Sequence, residues 1–230
     1  MKYLLAFTFI LFCTTGFAQQ ITYSEWKIQA TEDIRLLPEY GHVAKSEEQI
    51  AADKELIATE LKENGTHRKA SDALIKMGFT YFYRGDLKTA MYRFNQAYLL
   101  DATNENIYWG FGAIYGSFGD YPATLEQYDK GLAINPDNAL LLTDKATIYF
   151  VNFQQERGVD KSKLDTALSL LTKSFAIDPK SENTTFKLSV CYFLANDCAD
   201  AWKYYEACVK LGGKPISVEY TTALKNQCNK

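Results

Sequence analysis

The sequence predicts an all-α protein of about four stacked helix pairs with a capping helix at each end. Three observations carry that reading. Small and aromatic residues recur with a period of 34: Gly78, Tyr81, Ala90, Phe94 and Ala97 are followed at that distance by Gly112, Tyr115, Thr124, Tyr128 and Gly131. Proline and glycine are scarce, 5 and 13 in 230 residues, too few for the frequent turns of a β-sandwich. With 47% apolar and 23% charged residues, the chain is not disordered and can bury a core. A repeat of this length cannot bury its apolar face alone, so it stacks on its neighbours.

Taken in order, the chain opens with an address. Lys2 precedes the apolar run from Leu4 to Phe12, and Gly16-Phe17-Ala18 follows. A basic start, a short apolar stretch and a small-x-small ending make a secretory signal peptide over 1–18, cut after Ala18. The run falls short of the roughly 20 residues that cross a bilayer, so no membrane span is expected. Bulky Phe12 directly before Cys13 does not suit lipid attachment. The mature chain is expected to be exported, to the periplasm or the cell exterior.

Residues 19–45 hold Trp26, Ile28, Ile34, Leu36, Leu37 and Tyr40, too apolar for a free tail, while Pro38 and Gly41 break any long helix. Two readings stand: a strap laid over the first helix pairs, or an arm reaching into a groove of its own or a neighbouring molecule. Local burial of apolar side chains favours the strap. Residues 46–66 read as an N-terminal capping helix with Ile50, Ile57 and Leu61 on one face. Ser46 and Gln49 form its capping box, and Asn64-Gly65 its stop.

The repeats follow at about 71–104, 105–138, 139–181 and 182–215. Asp86, Asp120 and Asp197 stand where a carboxylate can cap the second helix of a pair. Asn135-Pro136 and Asp178-Pro179 mark the links between pairs, because the residue before proline is disfavoured in a helix. Those prolines are 43 residues apart, so the third unit carries nine extra residues, expected around 154–160. Residues 216–230 should form the C-terminal capping helix, with Lys225, Gln227 and Lys230 in water.

These slots resemble the tetratricopeptide repeat, whose pattern runs Leu-Gly, Tyr, Ala, an aromatic and a closing Pro. Leu74, Met77-Gly78, Tyr81, Ala90 and Phe94 fill it in the first unit; Tyr108, Phe111-Gly112, Tyr115, Tyr128 and Pro136 in the second. "AINPDN" (133–138) and "AIDPKS" (176–181) are similar to the family's links, while Ala146 and Ser189 replace glycine in the later units. The match covers 68–214. It implies a right-handed α-α superhelical solenoid in which the first helix of each pair lines a concave, partner-binding groove. The resemblance assigns Ile75, Phe79, Phe82, Trp109, Ala113, Phe150, Phe186, Val190 and Phe193 to that groove, with Gly116, Thr143 and Thr147 among them. Gly110, Ala113 and Gly116 would leave room beside Trp109 for an inserted side chain. The family's Lys/Asn/Arg clamp for a C-terminal carboxylate is missing, since Ile75, Phe79, Gly110, Leu140 and Asp144 hold the matching positions. The implied ligand is therefore a protein or peptide partner held by apolar anchors, such as a helix laid in the groove.

Loss of the leader leaves Cys191, Cys198, Cys208 and Cys228, and an even number in an oxidising compartment favours disulfides. Cys198 opens the second helix of the fourth unit and Cys228 closes the terminal helix. Those ends share a side in alternating antiparallel helices, which makes a Cys198–Cys228 bridge sensible. Cys191 and Cys208 read as buried thiols, with Cys191–Cys198 the rival pairing.

Other function classes find little support. A net charge of -3 without a Lys/Arg run gives no nucleic-acid footprint. The two histidines, His42 and His67, are isolated, and no C-x-x-C occurs, so no metal site is expected. No G-x-S-x-G, Walker loop or H-E-x-x-H is present, so neither a catalytic residue nor a cofactor is expected. The sequence points to a non-catalytic exported adaptor or scaffold that binds a protein or peptide in an aromatic groove. The alternative is a structural envelope-assembly subunit, a homo-oligomer whose groove is filled by its own N-terminal arm.

Overall fold

Side-chain caps fix where the repeat helices begin. The carboxylates of Asp86, Asp120 and Asp197 accept from the backbone N–H of Thr89, Ala123 and Asp200, and each opens the second helix of a pair. Thr66, Asn138 and Ser181 do the same for three of the first helices. Ser46 and Gln49 exchange both bonds of a capping box. The computed structural model describes residues 21–228, so the expected leader and Lys230 lie outside the described residues.

Those caps delimit eleven α-helices among the described residues. α1 (Tyr23–Ala30) and α2 (Glu47–Asn64) precede the pairs α3 (His67–Tyr83) with α4 (Leu87–Leu100) and α5 (Asn106–Ser117) with α6 (Tyr121–Ile134). The pairs α7 (Ala139–Gln155) with α8 (Lys161–Ile177) and α9 (Glu182–Leu194) with α10 (Cys198–Leu211) follow, and α11 (Val218–Cys228) ends the chain. Each helix packs hardest on its own partner and next on the following pair, which gives a right-handed α-α solenoid with α3, α5, α7 and α9 side by side.

The 34-residue register has a steric cause. A Cβ on Gly78 would lie 2.4 Å from the ring of Phe94, and one on Gly112 would lie 2.3 Å from the ring of Tyr128. The aromatic of each second helix thus occupies the space that glycine leaves on the first. Ala90, Phe94 and Ala97 are fully buried, as are Ala167, Leu171 and Ser174 two pairs later. The nine extra residues of the third unit are taken up mainly as added helix on either side of the turn at 156–160: α7 and α8 have 17 residues each, against 12 and 14 for α5 and α6.

The segment 21–45 lies on the outer side of the first two pairs. Trp26, 1% exposed, meets Phe118 with ring centroids 5.3 Å apart. Tyr23 stacks on the same ring, and its hydroxyl donates to Asp120 Oδ2 at 2.6 Å. After the turn Ile34–Leu36 the chain passes through Glu39, Tyr40, Gly41 and His42, all with φ between +54° and +63°. Four successive left-handed residues are costly for side chains other than glycine, so something must hold them. Buried Asn95 of α4 does: its Nδ2 donates to the carbonyls of Arg35 and Leu37 at 2.9 Å, and its Oδ1 accepts from the Tyr40 N–H. Lys130 of α6 reaches Glu39 at 3.1 Å. The segment therefore fills the wedge between α4 and α6, which scarcely touch each other. None of it lines the concave side, so the reading of these residues as an arm in their own groove is not what the structure shows. α2 packs on α3 without burying any residue, and Ile50, expected on its apolar face, is 43% exposed.

Candidate partner-binding groove

Ile75, Phe79 and Tyr83 recur at i, i+4 and i+8 on α3 and so share one stripe of that helix. With Trp109 and Asn106 of α5 and Leu140 of α7 they line an open pocket of about 490 Å³, edged by Asp72, Lys76 and Thr80. Its floor is well packed. Phe79 is 8% exposed, with its ring 4.1 Å from Trp109 and 5.1 Å from Phe94. Its walls are not: Tyr83 is 76% exposed and Leu140 53%.

A polar ridge closes this pocket toward the C-terminal end. The indole N–H of half-buried Trp109 donates to Asp144 Oδ2 at 2.7 Å, and the Lys187 ammonium lies 3.4 Å from Asp144 Oδ1. That chain runs from α5 over α7 to α9. Beyond it lies a second pocket of about 310 Å³, lined by Ala146, Thr147, Phe150, Leu171, Phe186, Lys187, Val190, Cys191 and Tyr220. Tyr220 comes from α11. Its ring meets Phe186 at 5.4 Å and Phe193 at 5.8 Å, and its hydroxyl shares a 2.6 Å hydrogen bond with Ser189. Burial pushes the Cys191 thiol up to about 12, so it stays protonated and inert at neutral pH.

The expected groove residues therefore divide. Ile75, Phe79 and Trp109 line the first pocket; Phe150, Phe186 and Val190 line the second. Phe82, Ala113 and Phe193 line neither. Phe82 packs edge-on against Phe79 and Tyr83, and Phe193 against Tyr220. Ile75 and Phe79 were expected to face outward, yet both are buried because Trp109 closes over the α3 stripe. Of the room expected beside Trp109, the part at Gly110 is already filled: a Cβ there would lie 2.6 Å from the ring of Phe94, whereas one on Gly116 would meet only Thr124 at 3.5 Å. Thr143 is also buried, sharing hydrogen bonds of 2.7 and 2.8 Å with Ser174 and Thr184. Tyr83 and Tyr220 were not expected to shape the groove, and Asp144, expected only as a position where the family's clamp is missing, instead ties Trp109 to Lys187. The i+4 spacing from Phe79 would have found Tyr83; nothing in the repeat pattern points to Tyr220.

The structure joins Cys198 to Cys228, with Cα atoms 5.3 Å apart, and leaves Cys191 and Cys208 buried and unbridged. The bond ties the first residue of α10 to the last of α11. His67 Nδ1 lies 2.8 Å from the Leu100 carbonyl, and His42 lies beside Glu39. Among the described residues no helix is long and apolar enough to cross a membrane.

No family model matches the sequence, and no curated protein does. Solved structures do resemble the chain. TTC0263, a thermophilic tetratricopeptide-repeat protein of Thermus thermophilus, superposes with a TM-score of 0.55 at 18% identity, over 68% of this chain and 80% of that one. Pseudomonas aeruginosa PilF gives 0.58 at 18% identity, over 70% and 68%. The MamA RS-1 ArsTM double mutant gives 0.52 at 16% identity, over 68% and 82%. At these identities the likeness establishes a tetratricopeptide-like fold and nothing about partners.

Proposed function

We propose that the chain is a non-catalytic, exported adaptor that holds a protein or peptide partner by apolar anchors on its concave side. One observation carries the reading: the first pocket presents Tyr83 and Leu140 largely to solvent around a buried floor of Ile75 and Phe79. Large exposed apolar side chains around a concavity are unusual for a surface with no partner. Each of the two pockets has room for an anchoring side chain, and the polar ridge between them would meet a hydrogen-bonding group of the same partner. Export rests on the leader pattern at 1–18, and an oxidising destination suits the Cys198–Cys228 pairing.

The test is retention of proteins from an envelope extract by immobilised residues 19–230, compared with Tyr83→Ala/Leu140→Ala. Both side chains are exposed, so the variant should keep its helical circular dichroism. Proteins held by the parent and lost by the variant support the groove. Equal retention by both sinks it.

A further inference from the structure

We propose that the Cys198–Cys228 bond latches α11 as a movable wall of the second pocket, so that reducing the bond uncovers that pocket and resets what the groove can hold. The consequence for binding rests on the adaptor reading; the latch itself does not.

The geometry supports it at three points. α11 supplies Tyr220, which stands against Phe186 and Phe193 and lines the pocket together with Cys191. Beyond that ring the non-covalent hold is mostly polar and lies near the surface: the Tyr205 hydroxyl and Thr221 Oγ1 are 3.0 Å apart, and Gln227 Nε2 donates to Asn196 Oδ1 at 3.0 Å. Leu224 is its one buried residue among those described, and Val218 is 77% exposed. Gln227 donates to the Phe193 carbonyl at 3.2 Å. A helix of 11 residues is marginal in water on its own, so its position depends on such anchors. The covalent anchor sits at its far end and closes a span of 30 residues back to the start of α10. A dithiol reductant would supply two electrons and two protons: the S–S bond breaks to two thiols, and the reductant closes its own disulfide. α11 then keeps only its non-covalent contacts and can swing away, taking Tyr220 with it.

The molecule carries its own reporter. Cys191 is 1% exposed on the wall behind Tyr220, while Cys208, equally buried on α10, points to the Glu182 carbonyl at 3.5 Å. Opening the wall would admit reagent to Cys191 and let its thiol ionise, so both access and reactivity rise; Cys208 should see neither change.

The experiment compares maleimide labelling rates of the two cysteines, read by peptide mass spectrometry, in the oxidised chain and in Cys198→Ser/Cys228→Ser. The expected result is about a tenfold or greater acceleration at Cys191 with Cys208 unchanged, as local opening requires. An unchanged Cys191 overturns the latch. So does equal acceleration of both thiols, which would mean general loosening. Tyr220→Ala with the bridge intact covers the case in which the double serine variant does not fold: it should speed Cys191 alone, and failure to do so removes α11 as the wall. Partner retention is read separately with Tyr83→Ala/Leu140→Ala. A failed latch with intact retention therefore looks different from a failed groove with a working latch.

Discussion

The two ends of the solenoid bury similar side chains but are closed by different means. At the N-terminal end one continuous core runs from the first two helix pairs into the strap, taking in Trp26, Ala30 and Leu36. At the C-terminal end the core of the last two pairs is a smaller cluster, separate from the first, and a short helix is fastened by a covalent bond. A stack of repeats leaves an unsatisfied apolar face at each end, and also a wedge on the outside wherever second helices splay apart. Here the strap of residues 21–45 fills the wedge at one end; a disulfide holds a minimal cap at the other.

Trp26→Ala should produce the largest effect. It removes a fully buried indole on which the strap depends, and it should cost about 3–5 kcal/mol in equilibrium denaturation. Protease should then cut first within 21–45, while Cys191 labelling stays at its original rate. If Cys191 speeds up as well, the two ends are coupled and the comparison fails. Cys198→Ser/Cys228→Ser should cost about 2–4 kcal/mol by the loop it reopens, and should leave the strap resistant to protease. Together the two variants ask whether the ends melt independently, as neighbour-coupled repeats allow.

Asn95→Ala sharpens the strap side. The substitution strands two strap carbonyls and the Tyr40 N–H in a buried site and removes the support of four left-handed residues. A loss of about 1–3 kcal/mol is expected, with protease cleavage near 39–42 as the local readout. Stability within a few tenths of the parent would mean that the left-handed turn is held by Glu39, Tyr40 and their neighbours alone.

The pair architecture was legible in the sequence because periodic contacts repeat: Gly78 with Phe94 predicts Gly112 with Tyr128, and the capping aspartates fall at fixed offsets. The groove was legible only by half. Spacing finds the stripe on α3, but it cannot say that Trp109 folds over Phe79 or that Phe94 fills the space above Gly110, since both depend on the rotamers of neighbouring helices. The strap and α11 were least legible. Trp26 meets Phe118, and Asn95 serves three groups 55 to 60 residues away, contacts that no local pattern encodes. Asn95 reads in the sequence as an ordinary polar helix residue, although it is fully buried.

The smallest expected effect is also the one that separates the two ends by chemistry alone. The hydrogen bond from Arg35 holds the Asp33 carboxyl below its usual range against the opposing effect of burial, and the Tyr92 hydroxyl of α4, 2.7 Å away, adds to it. A carboxyl whose folded value is depressed adds stability above its unfolded pKa of about 3.9 and loses it as pH falls through the lower folded value. Acid below about pH 4 should therefore loosen the strap, with protease sensitivity of 21–45 rising as the pH drops, and Asp33→Asn should flatten that rise. The C-terminal latch has no carboxylate in its bond and should hold through the same range. Reductant at neutral pH should act the other way round, freeing α11 and leaving the strap docked. If acid instead frees Cys191 before it exposes 21–45, the strap is not the acid-sensitive closure, and the division of the molecule into a polar-tied end and a covalent end is wrong.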